Sequence, residues 1–179
     1  MINYSSYQQY IPEDFNDNSR VWIYQCSRML TMGEALQIEH ILEEFVANWK
    51  SHGAAVKGFA NLLFGQFIIV MADESQSTTV GGCSTDSSVR MIKQIEQDLK
   101  VEMFNRQNLA FIIKDKVQML PLAQINYALD NGFINADTLF FNNLVATKKE
   151  LLSKWIIQTK DSWLATRYDL TTKNIPSLN

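Results

Sequence analysis

Two segments of the chain repeat apolar residues at helical spacing. The first begins at Thr31, which forms with Glu34 the sequence signature of a capping box at a helix N-terminus. Its apolar residues recur every three or four positions, as on the buried face of a helix: Ile38, Ile41, Leu42, Phe45 and Trp49. Gly53 stands where a C-terminal cap is expected. A second helix is predicted from Val89, Ile92, Ile95 and Leu99.

Runs of apolar and β-branched residues predict strands around these helices. They are VWIYQC after Arg20, AAVKGFANLLF, FIIVMA and NLAFII, and Gly65 marks a tight turn between the second and third. FIIVMA is continuously apolar, which is typical of a strand in the centre of a sheet. The order from Arg20 to Ile113 is β-α-β-β-α-β, which predicts a ferredoxin-like antiparallel sheet covered on one face by two helices.

The pattern changes after residue 108. FIIKDKVQMLPL predicts a hairpin, AQINYALDNGF a short helix ending at Gly132, and DTLFFNNL a further strand. We therefore predict an α+β fold in four parts. These are an N-terminal arm (1–19), a ferredoxin-like part (20–108), a hairpin-helix-strand lobe packed on it (109–168), and a loose tail (169–179).

The whole course from Pro12 to Tyr168 resembles a small uncharacterised bacterial family whose members carry the automatic name ABC transporter ATPase. The matching segments are VWIYQ, FIIVMADES, GCSTDSSV, LPL, DTLFFNNLV and SWLATRY. An ATPase of that class needs G-x-x-x-x-G-K-[ST], whose backbone N–H groups, lysine and hydroxyl hold the phosphates and magnesium. Gly81-Gly82 is followed by Cys-Ser-Thr, and the pattern occurs nowhere else in the sequence. We therefore expect no ATPase activity.

The segment from Phe111 to Phe141 is similar to the hairpin, helix and strand of bacterial GYF-type peptide-binding modules. The similarity is carried by Pro121-Leu122, Gly132, Ile134 and Asp137-Thr138-Leu139. The segment has Phe111 and Phe141 where the modules usually have tryptophan or tyrosine. From the sequence we also expect it to lack the exposed aromatic pair on which those modules bind proline-rich peptides. The resemblance implies a GYF-like lobe.

Composition limits the classes of partner. The 179 residues include 46% hydrophobic and 20% charged residues, with a net charge of −3, and show no lysine and arginine cluster interleaved with aromatics. The start of the sequence does not resemble a secretory signal, and no apolar run approaches the roughly 18 residues needed to span a bilayer. We therefore expect a soluble, cytoplasmic protein that binds neither nucleic acid nor membranes.

Cys83 is the candidate nucleophile, because a thiol at a helix N-terminus can have a lowered pKa. Ser84 and Asp86 beside it are expected to cap the second helix or contact a ligand. The two histidines, His40 and His52, are expected at positions remote from Cys83, which leaves the thiol without a base. We therefore interpret Cys83 as a structural residue, with a ligand-contacting thiol as the second interpretation. A thiol-dependent enzyme or redox sensor is the alternative function.

The remaining candidates are polar residues at strand ends. Asp73 and Glu74 follow the FIIVMA strand and could bind a ligand or cation, but the favoured interpretation is a solvated turn. Asn142 and Asn143 follow the last predicted strand and have the same two interpretations. No cysteine or histidine spacing predicts a metal site, and no cofactor is expected. The sequence therefore favours a binding or protein-interaction module with no enzymatic activity, for which we include a homodimer through an exposed sheet edge.

Overall fold

The computed structural model describes residues 4–75 and 82–170, with the backbone alone for Ser5, Gly82, Cys83 and Ser84. The strands are β1 (Arg20–Gln25), β2 (Lys50–Ser51), β3 (Ala54–Ala55), β4 (Lys57–Leu63), β5 (Phe67–Asp73), β6 (Asn108–Ile113), β7 (Lys116–Pro121), β8 (Leu139–Phe141) and β9 (Ile156–Gln158). The α-helices are α1 (Met32–Asn48), α2 (Gly82–Leu99), α3 (Ile125–Asp130), α4 (Lys148–Lys154) and α5 (Leu164–Arg167). Short 3-10 helices occupy Tyr4–Tyr10, Leu122–Gln124 and Thr159–Asp161.

The chain forms two compact units. The larger unit comprises Ser6–Asn105 and Asn143–Ser153. The smaller unit comprises Met1–Ser5, Arg106–Asn142 and Lys154–Asn179. Helices and antiparallel sheets occur together in the structure, so the predicted α+β class is confirmed. No helix within the described ranges combines the length and the apolarity that crossing a membrane requires.

The sheet of the larger unit is built around β5. Its strand order is β1-β5-β4, and β5 is antiparallel to both neighbours. Every residue of β5 is buried, which agrees with the central position predicted from its continuous apolar run. The turn from β4 to β5 places Phe64 and Gly65 at positive φ, as expected of a tight hairpin connection.

The two faces of this sheet are covered by different parts of the chain. Ile68, Val70 and Ala72 of β5 belong to a core that also contains the apolar faces of both long helices, with Ile38, Leu42, Ile92 and Ile95 fully or almost fully buried. On the opposite face, Phe59 of β4 packs edge-on against Phe15 with ring centroids 6.4 Å apart. The N-terminal segment also buries Tyr7 and Ile11.

The predicted ferredoxin-like sheet is not confirmed, because its fourth strand pairs elsewhere. NLAFII, which is β6, belongs to a second sheet of order β7-β6-β8-β9 in the smaller unit. The outer edge of β1 is met instead by the segment that follows β8: the Val21 N–H donates to the Ala146 carbonyl over 2.9 Å, and Arg20 and Thr147 form a β-bridge. Each strand thus satisfies its backbone groups with a partner that the apolar pattern alone does not identify.

The N-terminus of α1 agrees with its prediction, and the C-terminus does not. The capping box is present, since the Glu34 N–H donates to Thr31 Oγ1 over 3.3 Å and the Thr31 N–H donates to Glu34 Oε2 over 2.8 Å. The C-terminal cap predicted at Gly53 is wrong. Helix α1 ends at Asn48, and Gly53 has a φ of +83° in the turn between β2 and β3. The extended backbone of Trp49 directs the chain into that hairpin.

The smaller unit contains the predicted hairpin, helix and strand. β6 and β7 pair antiparallel through a turn in which Lys114 and Asp115 have positive φ, and β8 and β9 extend the sheet. Helix α3 lies between β7 and β8 in the sequence. The core of this unit contains Phe111, Ile125, Ala128, Ile134, Phe140 and Leu164.

Gly58 tests the contact between the larger unit's sheet and the end of α1. A Cβ at this position would lie 2.6 Å from Cε3 of Trp49, whose ring is buried and packs against Trp22 and Phe45. Gly58→Ala should therefore reduce the free energy of unfolding by about 1–3 kcal/mol through overpacking. Urea denaturation monitored by circular dichroism measures the change.

Gly33 provides a matched control, because a Cβ there meets nothing within 4 Å and the residue lies in the first turn of α1. Gly33→Ala should raise stability by about 0.4–1 kcal/mol, since alanine restricts the unfolded chain more than glycine does. Equal effects of the two substitutions would contradict the close approach of the Trp49 ring to β4.

Candidate functional site

Asp73 lies in a network that connects the end of β5 to the N-terminal segment. Its side chain is only 2% exposed, and Nζ of Lys57 lies 3.3 Å from Oδ2. The Asn16 N–H donates to Oδ2 over 3.1 Å, and the Ser75 N–H donates to Oδ1 over 3.0 Å. Lys57 also contacts Asp14 Oδ2 at 3.0 Å, and its Nζ lies 4.6 Å from the centroid of the Phe15 ring. The protein itself therefore occupies the oxygens of the predicted ligand residue Asp73.

This network keeps Asp73 ionised. Burial is the largest single influence and opposes ionisation, but the hydrogen bonds from Ser75 and Asn16 together with Lys57 outweigh it and lower the pKa of Asp73 to about 2. A carboxylate with so low a pKa is a poor general base near neutral pH. The geometry therefore gives Asp73 a role in holding the N-terminal segment on β5.

Glu74 is the second acidic candidate and lies just beyond the strand. Its Oε1 is 3.4 Å from Arg20 Nη1, and Cζ of Arg20 lies 4.8 Å from the centroid of the Trp22 ring. Both charged side chains are partly exposed. Among the described residues, no group of three or more histidine, cysteine, aspartate or glutamate side chains is arranged to hold a metal ion.

Helix α2 begins earlier than the sequence indicated. Cys83 was expected just before the helix, with Ser84 or Asp86 as cap, but α2 starts at Gly82 and contains all three residues. Ser88 is buried, and its hydroxyl donates to the Thr85 carbonyl over 2.8 Å, so the helix itself satisfies this polar group. The side chains of Cys83 and Ser84 lie outside the described residues, so their predicted roles stay predictions.

Asp86 is exposed on the first half of α2. With Val89, Arg90 and Lys93 it lines an open depression of about 380 Å³. Both signs of charge are present among the residues that line this depression. Asp86 is therefore placed near Cys83 along the helix without forming a defined ligand site.

The two asparagines of the predicted pair make separate contacts. In the smaller unit, the Asn142 N–H donates to the Trp155 carbonyl over 2.6 Å and Asn142 Nδ2 donates to the Lys154 carbonyl over 3.3 Å. In the larger unit, Asn143 Nδ2 donates to Gln25 Oε1 over 2.8 Å. These bonds account for both asparagines as residues that fix the chain where it leaves β8.

The most distinctive surface feature of the smaller unit is a pair of aromatic rings that the sequence interpretation missed. The rings of Tyr127 and Phe133 have centroids 6.2 Å apart and an interplanar angle of 32°. Tyr127 is 63% exposed and Phe133 is 57% exposed. Large aromatic side chains so exposed and in mutual contact are typical of binding surfaces. The expectation that this lobe lacks an exposed aromatic pair is therefore wrong.

A helix-ending motif positions the pair. Gly132 follows α3 with a φ of +68°, and its N–H donates to the Leu129 carbonyl over 3.1 Å. The Phe133 N–H donates to the Ala128 carbonyl over 2.9 Å. These two bonds form a Schellman motif, in which the residue after the glycine contacts an apolar residue in the last turns of the helix. The signal in the sequence was Gly132-Phe133, with Tyr127 six positions before the phenylalanine.

An open cleft of about 530 Å³ continues along the same helical segment. Ala123 and Asn126 line it together with Arg167 and Tyr168. Asn126 directly precedes Tyr127 in α3, so the cleft lies beside the segment that carries the aromatic pair. Gln107 and Asp169 add further polar groups to the cleft. The aromatic pair and the cleft together offer apolar and hydrogen-bonding surface next to each other.

Asp73 predicts a pH dependence of stability. Its pKa in the folded protein lies below the ordinary value of 3.8, so its stabilising contribution is present above about pH 3.8 and is lost as the pH falls toward about 2. The shift corresponds to about 2 kcal/mol. Asp73→Asn should therefore lower the free energy of unfolding by about that amount at pH 7, and the difference from wild type should shrink toward pH 2 in urea denaturation.

Asp14→Asn is the control, because this carboxylate contacts the same Lys57 but its side chain is 74% exposed. We expect it to cost less than about 1 kcal/mol. A larger loss for Asp14→Asn than for Asp73→Asn would show that the buried hydrogen bonds do not dominate the network.

Alkylation tests the two interpretations of Cys83. The other thiol, Cys26, is fully buried, and burial raises its pKa, so it should be protected in the folded protein. Iodoacetamide uptake under native conditions should therefore report on Cys83 alone. The structural interpretation predicts an apparent pKa near 8.5 in a pH series analysed by mass spectrometry, whereas a value at or below about 7 would support the thiol-dependent alternative.

Comparisons with known proteins add no assignment to these residues. No protein-family model, curated protein or solved structure matches this chain. The candidate surfaces are therefore supported by their geometry and chemistry.

Proposed function

We propose that this protein is a protein-interaction module that binds an extended peptide segment through the aromatic pair Tyr127 and Phe133. The observation that carries the proposal is the contact of two rings that are each more than half exposed. An exposed aromatic surface binds proline side chains and other apolar groups with little loss of side-chain entropy, because the rings have few rotatable bonds. The resemblance to GYF-type modules, whose ligands are proline-rich peptides, supports the same class of ligand.

The backbone around the pair favours binding without rearrangement. Both hydrogen bonds of the Schellman motif fix the turn that carries Phe133, and buried Ile125 and Ala128 fix the helix that carries Tyr127. Binding therefore needs little ordering of the surface, which lowers its entropic cost. Asn126 and Arg167 in the adjoining cleft offer donors for the carbonyl groups that an extended peptide exposes.

The experiment is a titration of the isotope-labelled protein with an array-selected proline-rich peptide and with its scrambled, proline-free counterpart. Chemical-shift changes should cluster on α3 and on Gly132 and Phe133. Tyr127→Ala should weaken binding at least about tenfold, as expected for an aromatic anchor at the centre of an interface. Equal affinity for both peptides, or shift changes confined to other residues, would contradict the proposal.

Tyr10→Ala is a matched control. Tyr10 is 55% exposed and belongs to the larger unit, so this substitution removes an exposed tyrosine outside the proposed surface. Affinity for the peptide should remain within about twofold of wild type. Melting temperatures of both variants establish that any loss of binding does not come from unfolding.

Two other proposals from the sequence stay proposals, each with its own test. Homodimerisation through a sheet edge is one, with β4 as the outer strand of the larger unit's sheet and β7 and β9 as the outer strands of the smaller unit's. Sedimentation equilibrium tests it. The thiol-dependent enzyme or redox sensor is the other, and it depends on the alkylation of Cys83.

A further inference from the structure

The start of α1 concentrates exposed apolar side chains in the larger unit. Met32 is 77% exposed, and Met29 and Leu36 are each 59% exposed. Single exposed apolar residues are ordinary, but three within eight positions of the chain form a local patch. The helix does not need them for its core, because its buried residues Ile38 and Leu42 lie on another face. The packing of the larger unit therefore does not account for these exposed apolar side chains.

Helical geometry aligns two of these residues with two glutamates. At about 100° per residue, Met32, Leu36, Glu39 and Glu43 fall within an arc of about 60° on the solvent-facing side of α1, and we term this set the α1 stripe. All four side chains are exposed. The stripe is thus apolar in its first turns and acidic in the following turns.

The charge on α1 has one sign. The 17-residue helix contains four glutamates and no lysine or arginine. Arg28, which precedes the helix, pairs with Glu34 at 2.7 Å, and His40 lies 3.3 Å from Glu44. Neither of these pairs involves Glu39 or Glu43. The α1 stripe therefore presents two carboxylates without a lysine or arginine from the same helix beside them.

We propose that the α1 stripe binds a basic amphipathic helix of another protein. An apolar side chain of such a partner packs against Met32 and Leu36, and its lysine or arginine residues, one or two turns away, pair with Glu39 and Glu43. Methionine suits such a surface because its flexible side chain adapts to different apolar partners. The α1 stripe belongs to the larger unit, whereas Tyr127 and Phe133 belong to the smaller unit. The two proposals therefore depend on different residues.

Charge argues against other occupants. Two copies of this chain related by a two-fold axis would bring the stripe against itself, and full antiparallel overlap would place Met32 opposite Glu43 and Leu36 opposite Glu39. Each apolar side chain would then face a carboxylate. Cellular membranes and nucleic acids carry negative charge, which the two glutamates repel. A basic protein segment is the occupant that satisfies both halves of the stripe.

The test uses fluorescence anisotropy with a labelled synthetic peptide of about 18 residues. Its leucines recur every three or four positions, so that a helix has leucine on one face and lysine on the other. A second peptide carries glutamate in place of every lysine. Wild-type protein should bind the lysine peptide, with affinity that falls as salt increases, and should not bind the glutamate peptide. Absence of binding to the lysine peptide, or binding to both peptides alike, would overturn the proposal.

Two adjacent glutamates provide a matched pair of variants. Glu43→Lys and Glu44→Lys change the net charge equally, but only Glu43 belongs to the α1 stripe. Glu43→Lys should reduce the affinity for the lysine peptide at least about tenfold, and Glu44→Lys should reduce it less than about threefold. Equal losses would show that net charge alone attracts the peptide and would overturn the site.

Charge exchange and truncation complete the test. The double variant Glu39→Lys with Glu43→Lys should gain binding of the glutamate peptide, an outcome that a misfolded protein cannot give. Met32→Ala should reduce affinity for the lysine peptide several-fold, whereas Tyr127→Ala should leave it unchanged. Loss of lysine-peptide binding in Tyr127→Ala, or unchanged binding in Met32→Ala, would place the peptide elsewhere and overturn the inference.

Discussion

The larger unit depends on the burial of β5 on both of its faces. All seven residues of this strand are buried, and side chains of a strand alternate between the two faces of a sheet. The sheet of β1, β5 and β4 therefore needs a cover on each side. Helices α1 and α2 cover one face, and the other requires chain from outside the β-α-β-β-α sequence. This requirement explains why the N-terminal segment and residues 143–153 belong to the same unit.

Hydrogen bonds hold these covering segments to each other and to the sheet. Lys148 is buried, and its Nζ donates to the carbonyls of Glu13 and Phe15 over 3.0 and 2.7 Å. The Tyr7 hydroxyl donates to the Leu151 carbonyl over 2.7 Å, and desolvation raises the pKa of this tyrosine to about 12. Asp73 joins the same segment to β5 through the Asn16 N–H. The acidic strand end that resembled a ligand site is thus part of the connection that closes the second face.

Local signals in the sequence predicted local structure well. The Thr31 and Glu34 capping box, the turn at Gly65 and the central position of β5 each depend on residues close together in the chain. The partner of β6 does not, because pairing with β7 and β8 and pairing with β1 satisfy the same apolar pattern. A buried lysine that bonds two carbonyls more than 130 positions away leaves no periodic signal either. The fold class was therefore predictable, and the sheet order was not.

The candidate sites show the same contrast between local signals and contacts that only the fold creates. Asp73 was chosen for its chemistry at a strand end, but its function in the structure follows from three donors that only the fold brings together. Tyr127 and Phe133 were not singled out from the sequence, although Gly132 marked the turn that brings them into contact. Exposure, unlike chemistry, depends on what the rest of the chain covers. It can be read from the sequence only where a local motif fixes the direction of the side chain.

Exposure also separates residues that maintain the fold from residues that are available to a partner. Gly58, Trp49 and Asp73 are constrained by contacts within the larger unit, so changes there alter stability first. Tyr127, Phe133, Met32 and Leu36 keep more than half of their surface in solvent, so each contributes little to its core. Retaining such apolar surface exposes the chain to association with itself, a cost that binding to a partner offsets. Stability alone does not account for these four side chains, and the two proposed binding surfaces give them a role.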